Sequence, residues 1–140
     1  MTLLLKVKTE SLSDGIAIVP QMKSATLLAD DVGTTVFVWL GDNQAQRGAL
    51  HAIASLTAFE EIMVPQVRDP TKLKHAFRIT LALVAAELVR PLGTDDLGPY
   101  RYVEGADGIE SLGRIHRDRN DKIIRLTSAE AAVLADRFQH

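Results

Sequence analysis

Cysteine is absent from this chain of 140 residues, aromatics make up 5% of it, and no long apolar stretch occurs. Without cysteine there is no disulfide framework, no thiolate nucleophile and no cysteine-ligated zinc. A cytoplasmic home is the default that follows. The longest apolar candidate, Ile79 to Val89, is eleven residues and already contains Glu87, which is too short and too polar for a membrane span. The opening Met-Thr-Leu-Leu-Leu is interrupted by Lys6 and Lys8, too soon for a signal-peptide core. Proline- or serine-rich linkers and internal repeats are also missing, so one domain over residues 1–140 is expected. What remains is ordinary globular material, with 46% hydrophobic and 24% charged residues and a net charge of −2.

Motifs for chemistry are scarce as well. The four histidines (His51, His75, His116, His140) stand in no metal-binding spacing, so no metal is expected. There is no GxSxG elbow, P-loop or GxGxxG, and hence no expected cofactor. Of the paired carboxylates, Asp30-Asp31 reads as turn chemistry and Asp95-Asp96 as charge at a helix start. Glu60-Glu61 lie on a strand, where neighbours face opposite ways. No catalytic residue is assigned, and a non-enzymatic protein is expected.

Charge becomes informative when it is divided. Residues 1–66 hold four Lys/Arg against seven Asp/Glu, whereas residues 67–140 hold twelve against eleven. Within the second half, Ser111 to Leu126 carries Arg114, Arg117, Arg119, Lys122 and Arg125 against Asp118 and Asp121, with His116 among them. Such a patch can meet phosphates on a net-acidic protein, or it can be a self-paired, solvated loop.

Patterning gives the elements. Leu3 to Thr9 alternates as a strand with one face inward, and Ser13-Asp14-Gly15 is a turn into Ile16 to Val19, which stops at Pro20. Met22 to Ala29 is a short helix or an irregular connection. Thr35 to Leu40 is a run of strong β-formers, and Ala49 to Ile62 a long curved strand with Leu50, Ala52, Ala54, Leu56 and Ala58 on one face. A loop follows over Pro65 to Lys74, and His75 to Val89 reads as a further strand. One helical turn begins at Thr94, a second short helix is expected over Asp107 to Ile115, and Ile123 to Leu126 is a short strand. Thr127-Ser128-Ala129-Glu130 is a capping box opening a terminal helix. The tally predicts an α+β fold: a small β-barrel of five or six mostly antiparallel strands, short helices and a C-terminal helix.

Phe37 and Trp39 share a face of one strand; Phe37 reads as a core residue, and Trp39, near the turn at Gly41, is either core or a candidate stacking wall for a base. Tyr100 and Tyr102 flank Arg101, which would point to the opposite side of an extended segment.

Three stretches together resemble the EVE-type domain of the PUA-like superfamily. They are Lys8-Thr9-Glu10 after the first strand, Asp31 to Trp39 followed by Gly48 to Leu56, and Ile115 to Leu134 with Ile123-Ile124-Arg125-Leu126-Thr127 before Glu130-Ala131. The resemblance implies a small barrel that binds RNA or DNA, with a modified or flipped base as ligand. It places Trp39, Arg114, Arg117, Arg119, Asn120 and Lys122 at the nucleic acid and makes Lys8, Thr9 and Tyr102 pocket candidates. No aromatic precedes Phe37, Ala54 stands at an expected glycine and Ser11 at an expected proline. A barrel that has lost the base pocket, serving as a protein-interaction or structural module or a homo-oligomer, is the alternative.

Overall fold

A computed structural model describes residues 2–41, 48–117 and 120–138. Among the described residues there are seven strands: β1 Thr2–Val7, β2 Leu12–Ser13, β3 Ile16–Pro20, β4 Thr35–Leu40, β5 Ala49–Pro65, β6 Leu73–Ala85 and β7 Lys122–Leu126. Three α-helices, α1 Thr94–Leu97, α2 Ile109–Ile115 and α3 Ser128–Ala135, join 3-10 turns at Thr9–Ser11, Ala29–Asp31 and Gly98–Tyr100. The strands form one mixed sheet in the order β2-β3-β6-β5-β4-β1-β7. Its neighbours are antiparallel except for β1 and β4, which run parallel.

The two-residue β2 is the strand the sequence reading did not count. It pairs with β3 through Asp14 and Gly15, both at positive φ (52° and 75°), the backbone that a tight hairpin turn requires. A side chain at Gly15 would put Cβ 2.6 Å from the Leu81 carbonyl oxygen, so the close approach excludes one.

The sheet does not close into a barrel by strand pairing, which corrects the sequence expectation. Val19 of β3 and Ile123 of β7 nevertheless share one core with Leu3, Leu5, Val7, Val36, Leu56, Phe77 and Ile79. The curl is therefore nearly complete, and bulges in β5 at Ile53/Ala54 and Leu56/Ala58 supply part of the bend. The second bulge also shifts the alternation, leaving Ala58 exposed and Phe59 half-buried. After Pro20 the chain leaves β6 and crosses to β7. There the Ala25 amide donates to Ile123 O (2.8 Å) and the Ile123 amide donates to Ser24 Oγ (3.1 Å). A serine hydroxyl thus takes the place of a backbone carbonyl in the missing ladder. The stretch 22–29, open to either reading in sequence, is irregular up to the 3-10 turn at Ala29.

The seam is held by an ion pair. Asp31 is buried, and Arg125 on β7 grips it with two bonds of 2.6 and 2.8 Å while also donating to Thr26 O at 2.7 Å. Together with the Leu28 amide at 2.7 Å, this contact holds the Asp31 carboxyl below its ordinary value, and it raises the Arg125 guanidinium.

The helices cover the outer face. Leu4, Phe37, Trp39 and Leu50 pack there with Leu92, Leu97, Leu112, Leu126 and Leu134. Both faces of β1 are consequently buried, and Leu3, Leu4 and Leu5 are each 0% exposed where one inward face was expected. The capping box forms as read: the Glu130 amide donates to Thr127 Oγ1 (3.2 Å) and the Thr127 amide to Glu130 Oε1 (2.7 Å). Among the described residues no helix is long and apolar enough to cross a membrane.

Candidate nucleic-acid interface

The segment that leads from α2 to β7 organises two cationic regions. Gly113 lets α2 lie directly on the Gly98–Tyr100 turn: a Cβ there would stand 2.6 Å from Tyr100 Cβ and 2.7 Å from its carbonyl carbon. That approach brings Arg101 and Tyr102 beside Arg114 and Arg117. The guanidiniums of Arg101 and Arg117 each lie 5.8 Å from the centre of the Tyr102 ring, which is 74% exposed. Arg101 therefore turns toward Tyr102, against the expectation from an extended backbone, because the chain is turned here.

The arginines in this region already have partners. Arg114 donates to Ala106 O at 2.7 Å and stands 3.7 Å from Glu104, and Arg117 donates to the same carboxylate at 3.2 Å. Arg101 donates to Arg117 O at 3.1 Å. Lys122 is buried, its ammonium bonded to Ile115 O at 2.9 Å, so it fastens α2 to β7 from within. Asp107 at the base of α2 accepts from Thr127 Oγ1 (2.8 Å) and the Gly108 amide (2.8 Å), and its carboxyl titrates below the ordinary value for those reasons, Thr127 first. Arg119 lies outside the described residues.

Trp39 is 0% exposed. Its ring packs on His116, with centroids 4.2 Å apart, and His116 Nδ1 lies 2.8 Å from Leu112 O. The stacking wall expected at Trp39 is thus a buried support under the segment that carries the arginines. Its strand runs into the helix-covered core, where a large aromatic buries most area.

Lys8 and Thr9 meet the same segment further along. Asp121 accepts from the Lys8 amide at 3.2 Å and from Ser11 Oγ at 3.1 Å, tying the turn after β1 to the residue beside Asn120. Both Lys8 and Thr9 are exposed. Of the two acids the sequence offered as arginine partners, Asp118 lies outside the described residues and Asp121 is engaged here, while Glu104 pairs with Arg114 and Arg117.

Asn120 opens onto the second region, a groove of about 880 Å³ lined also by Pro20, Gln21, Met22, Lys23, Gln66, Val67, Arg68, Lys74 and His75. Among the described residues no carboxylate belongs to this lining, and Glu61 accepts from Gln21 Nε2 at 3.5 Å. Arg68 and Lys74 make no ion pair among the described residues. Asp69, the acid of that loop, is held by Thr71, whose hydroxyl donates to it at 2.6 Å. Lys23 sits at φ 66°, a left-handed backbone uncommon for lysine, in the turn that carries the chain from β3 across to β7. Sequence reading treated residues 65–74 as a polar loop. The signal it passed over is Arg68, Lys72, Lys74 and His75 against the single Asp69. Arg117 and Asn120 are three residues apart, so their Cα atoms lie within about 11 Å and the two regions adjoin.

Among the described residues no group of three or more His, Asp or Glu could hold a metal ion. The α+β architecture, one curled mixed sheet with short helices, has a counterpart among solved structures. It is similar to the crystal structure of the DUF55 domain of human thymocyte nuclear protein 1, with a TM-score of 0.53 and 9% sequence identity over 99% of this chain and 100% of that one. No protein-family model and no curated protein matches the chain.

Proposed function

We propose that this protein is a non-enzymatic nucleic-acid-binding module of PUA-like type, and that the groove beside Asn120 takes a single-stranded segment or one unstacked nucleotide. The observation that carries the reading is a groove walled by Lys23, Arg68, Lys74 and His75, of which Arg68 and Lys74 make no ion pair among the described residues, on a protein whose overall charge is negative. Local potential, not net charge, decides whether a phosphate is attracted. The volume of about 880 Å³ is within the range of sites that enclose one small ligand. Gln21, Gln66 and Asn120 offer amides to base edges, and the exposed Met22 and Val67 offer an apolar surface to a base face. This set supports recognition of a base, modified or flipped, beside its phosphate. Lys8 and Thr9 flank the same segment through Asp121.

The test is a fluorescence titration of the full chain with short single-stranded RNA, DNA and their duplexes at two salt concentrations. Single strands are expected to bind, and affinity should fall with salt as phosphate contacts release counterions. Binding without salt dependence, or no binding at all, overturns the reading.

A second reading, docking of a protein or a second copy, is favoured by one observation. Beyond Leu81, β6 pairs only with β5, and Leu83 and Val84 there are 68% and 67% exposed. Sedimentation of a dimer that a charged residue at Leu83 dissociates would support it.

A further inference from the structure

Among the described residues Glu104 is the one carboxylate shared by two arginines of the α2 region, at 3.7 Å from Arg114 and 3.2 Å from Arg117, and its side chain is 67% exposed. The Arg114 guanidinium and the Arg117 backbone are both held independently of Glu104. Arg114 is anchored by its 2.7 Å bond to Ala106 O, and the backbone carbonyl of Arg117 is tied to Arg101. Two guanidiniums converging on one oxyanion beside an open aromatic ring make the arrangement that phosphate and base together require. An ion pair this exposed is worth at most about 1 kcal/mol, so a phosphate can displace the carboxylate at small cost.

We infer that Glu104 occupies the place of a backbone phosphate at a second anion subsite, formed by Arg114 and Arg117 with Tyr102 as its stacking surface. The same strand reaches it from the groove, because the Cα atoms of Arg117 and Asn120 lie within about 11 Å of each other. The inference rests on the nucleic-acid reading above and adds a residue that restrains binding. When Glu104 swings away, the strand gains one phosphate contact and a ring face; while it stays, the arginines are neutralised.

The experiment measures anisotropy of a fluorescein-labelled 12-nucleotide single strand, as RNA and as DNA, with the wild-type chain and with Glu104→Gln. Glu104→Gln is expected to tighten binding roughly three- to fivefold at low salt and to steepen the salt dependence by about 0.7, the slope of one added single-strand contact. Adding Arg117→Gln should cancel the gain. Glu87→Gln makes the same change in net charge on the exposed connection after β6 and should leave both quantities unchanged.

Wild-type binding that Glu104→Gln does not alter overturns the inference, as does an equal gain from Glu87→Gln. If neither wild type nor Glu104→Gln binds any strand, the nucleic-acid reading falls and the subsite with it. If Glu104→Gln tightens binding while loss of Arg68 and Lys74 changes nothing, the groove assignment fails and the subsite stands.

Discussion

Around α2, four basic side chains crowd together and each is engaged by a neighbour: Arg114 and Arg117 by Glu104, Arg101 by a carbonyl, Lys122 by Ile115. Across the groove, Arg68 and Lys74 come from a less conspicuous stretch of sequence and form no ion pair among the described residues. The denser cluster is thus the one with less charge to offer. Density along the chain measures how many cations are present, whereas the fold decides how many carboxylates and carbonyls reach them. A buried cation such as Lys122 is structural by necessity, because leaving its carbonyl would strand it away from water.

The sharpest challenge to this contrast is Trp39→Ala. As a buried support it should cost about 3–5 kcal/mol in thermal or denaturant unfolding. An unchanged stability accompanied by lost oligonucleotide binding would return Trp39 to the role of a stacking wall.

Asp31→Asn should destabilise by about 2 kcal/mol, since it leaves Arg125 without its paired carboxylate at the seam. Because the Asp31 carboxyl is depressed in the folded state, its contribution is complete above the ordinary carboxylate value. It is lost as pH falls from about 4 downward. Wild type should therefore lose stability over that acidic window more steeply than Asp31→Asn, and parallel acid unfolding curves would remove Asp31 from the account.

For the groove, Arg68→Ala with Lys74→Ala is expected to weaken single-strand binding roughly tenfold and to lower the salt slope by about 1.4, at about 0.7 per contact. Arg117→Ala, with Glu104 intact, should change affinity by less than about twofold. A reversal of the last two effects would transfer the interface from the groove to the α2 region.

Much of the fold could be read directly. The β-formers of Thr35–Leu40, the turn residues Asp14-Gly15 and the capping box at Thr127 each act through neighbours close in sequence, so local chemistry was enough. The closed barrel was not obtained, because closure depends on residues a hundred positions apart. Pro20 ends β3, and Ser24 and Ala25, instead of a strand, meet Ile123. The described candidates other than Trp39 gather along the segment between α2 and β7 or are tied to it, and Trp39 lies beneath. Glu104 as a partner of the arginines was not legible, since it precedes them by ten residues or more and reaches them through the turn that Gly113 permits. Arg68 and Lys74 escaped notice because their importance arises from facing Lys23 and Asn120 across space, and no periodicity records that.

The junction of β3 and β7 resembles a clasp on a bracelet: in place of a ladder, one serine hydroxyl, one amide and the Arg125–Asp31 pair fasten a band that is elsewhere laced strand to strand. Fewer bonds must break there than at any step between neighbouring long strands, so the Ala25 and Ile123 amides should exchange with solvent protons ahead of those in β4. Lys23 and Asn120 sit on opposite halves of that clasp, and a strand bridging them would lock it shut.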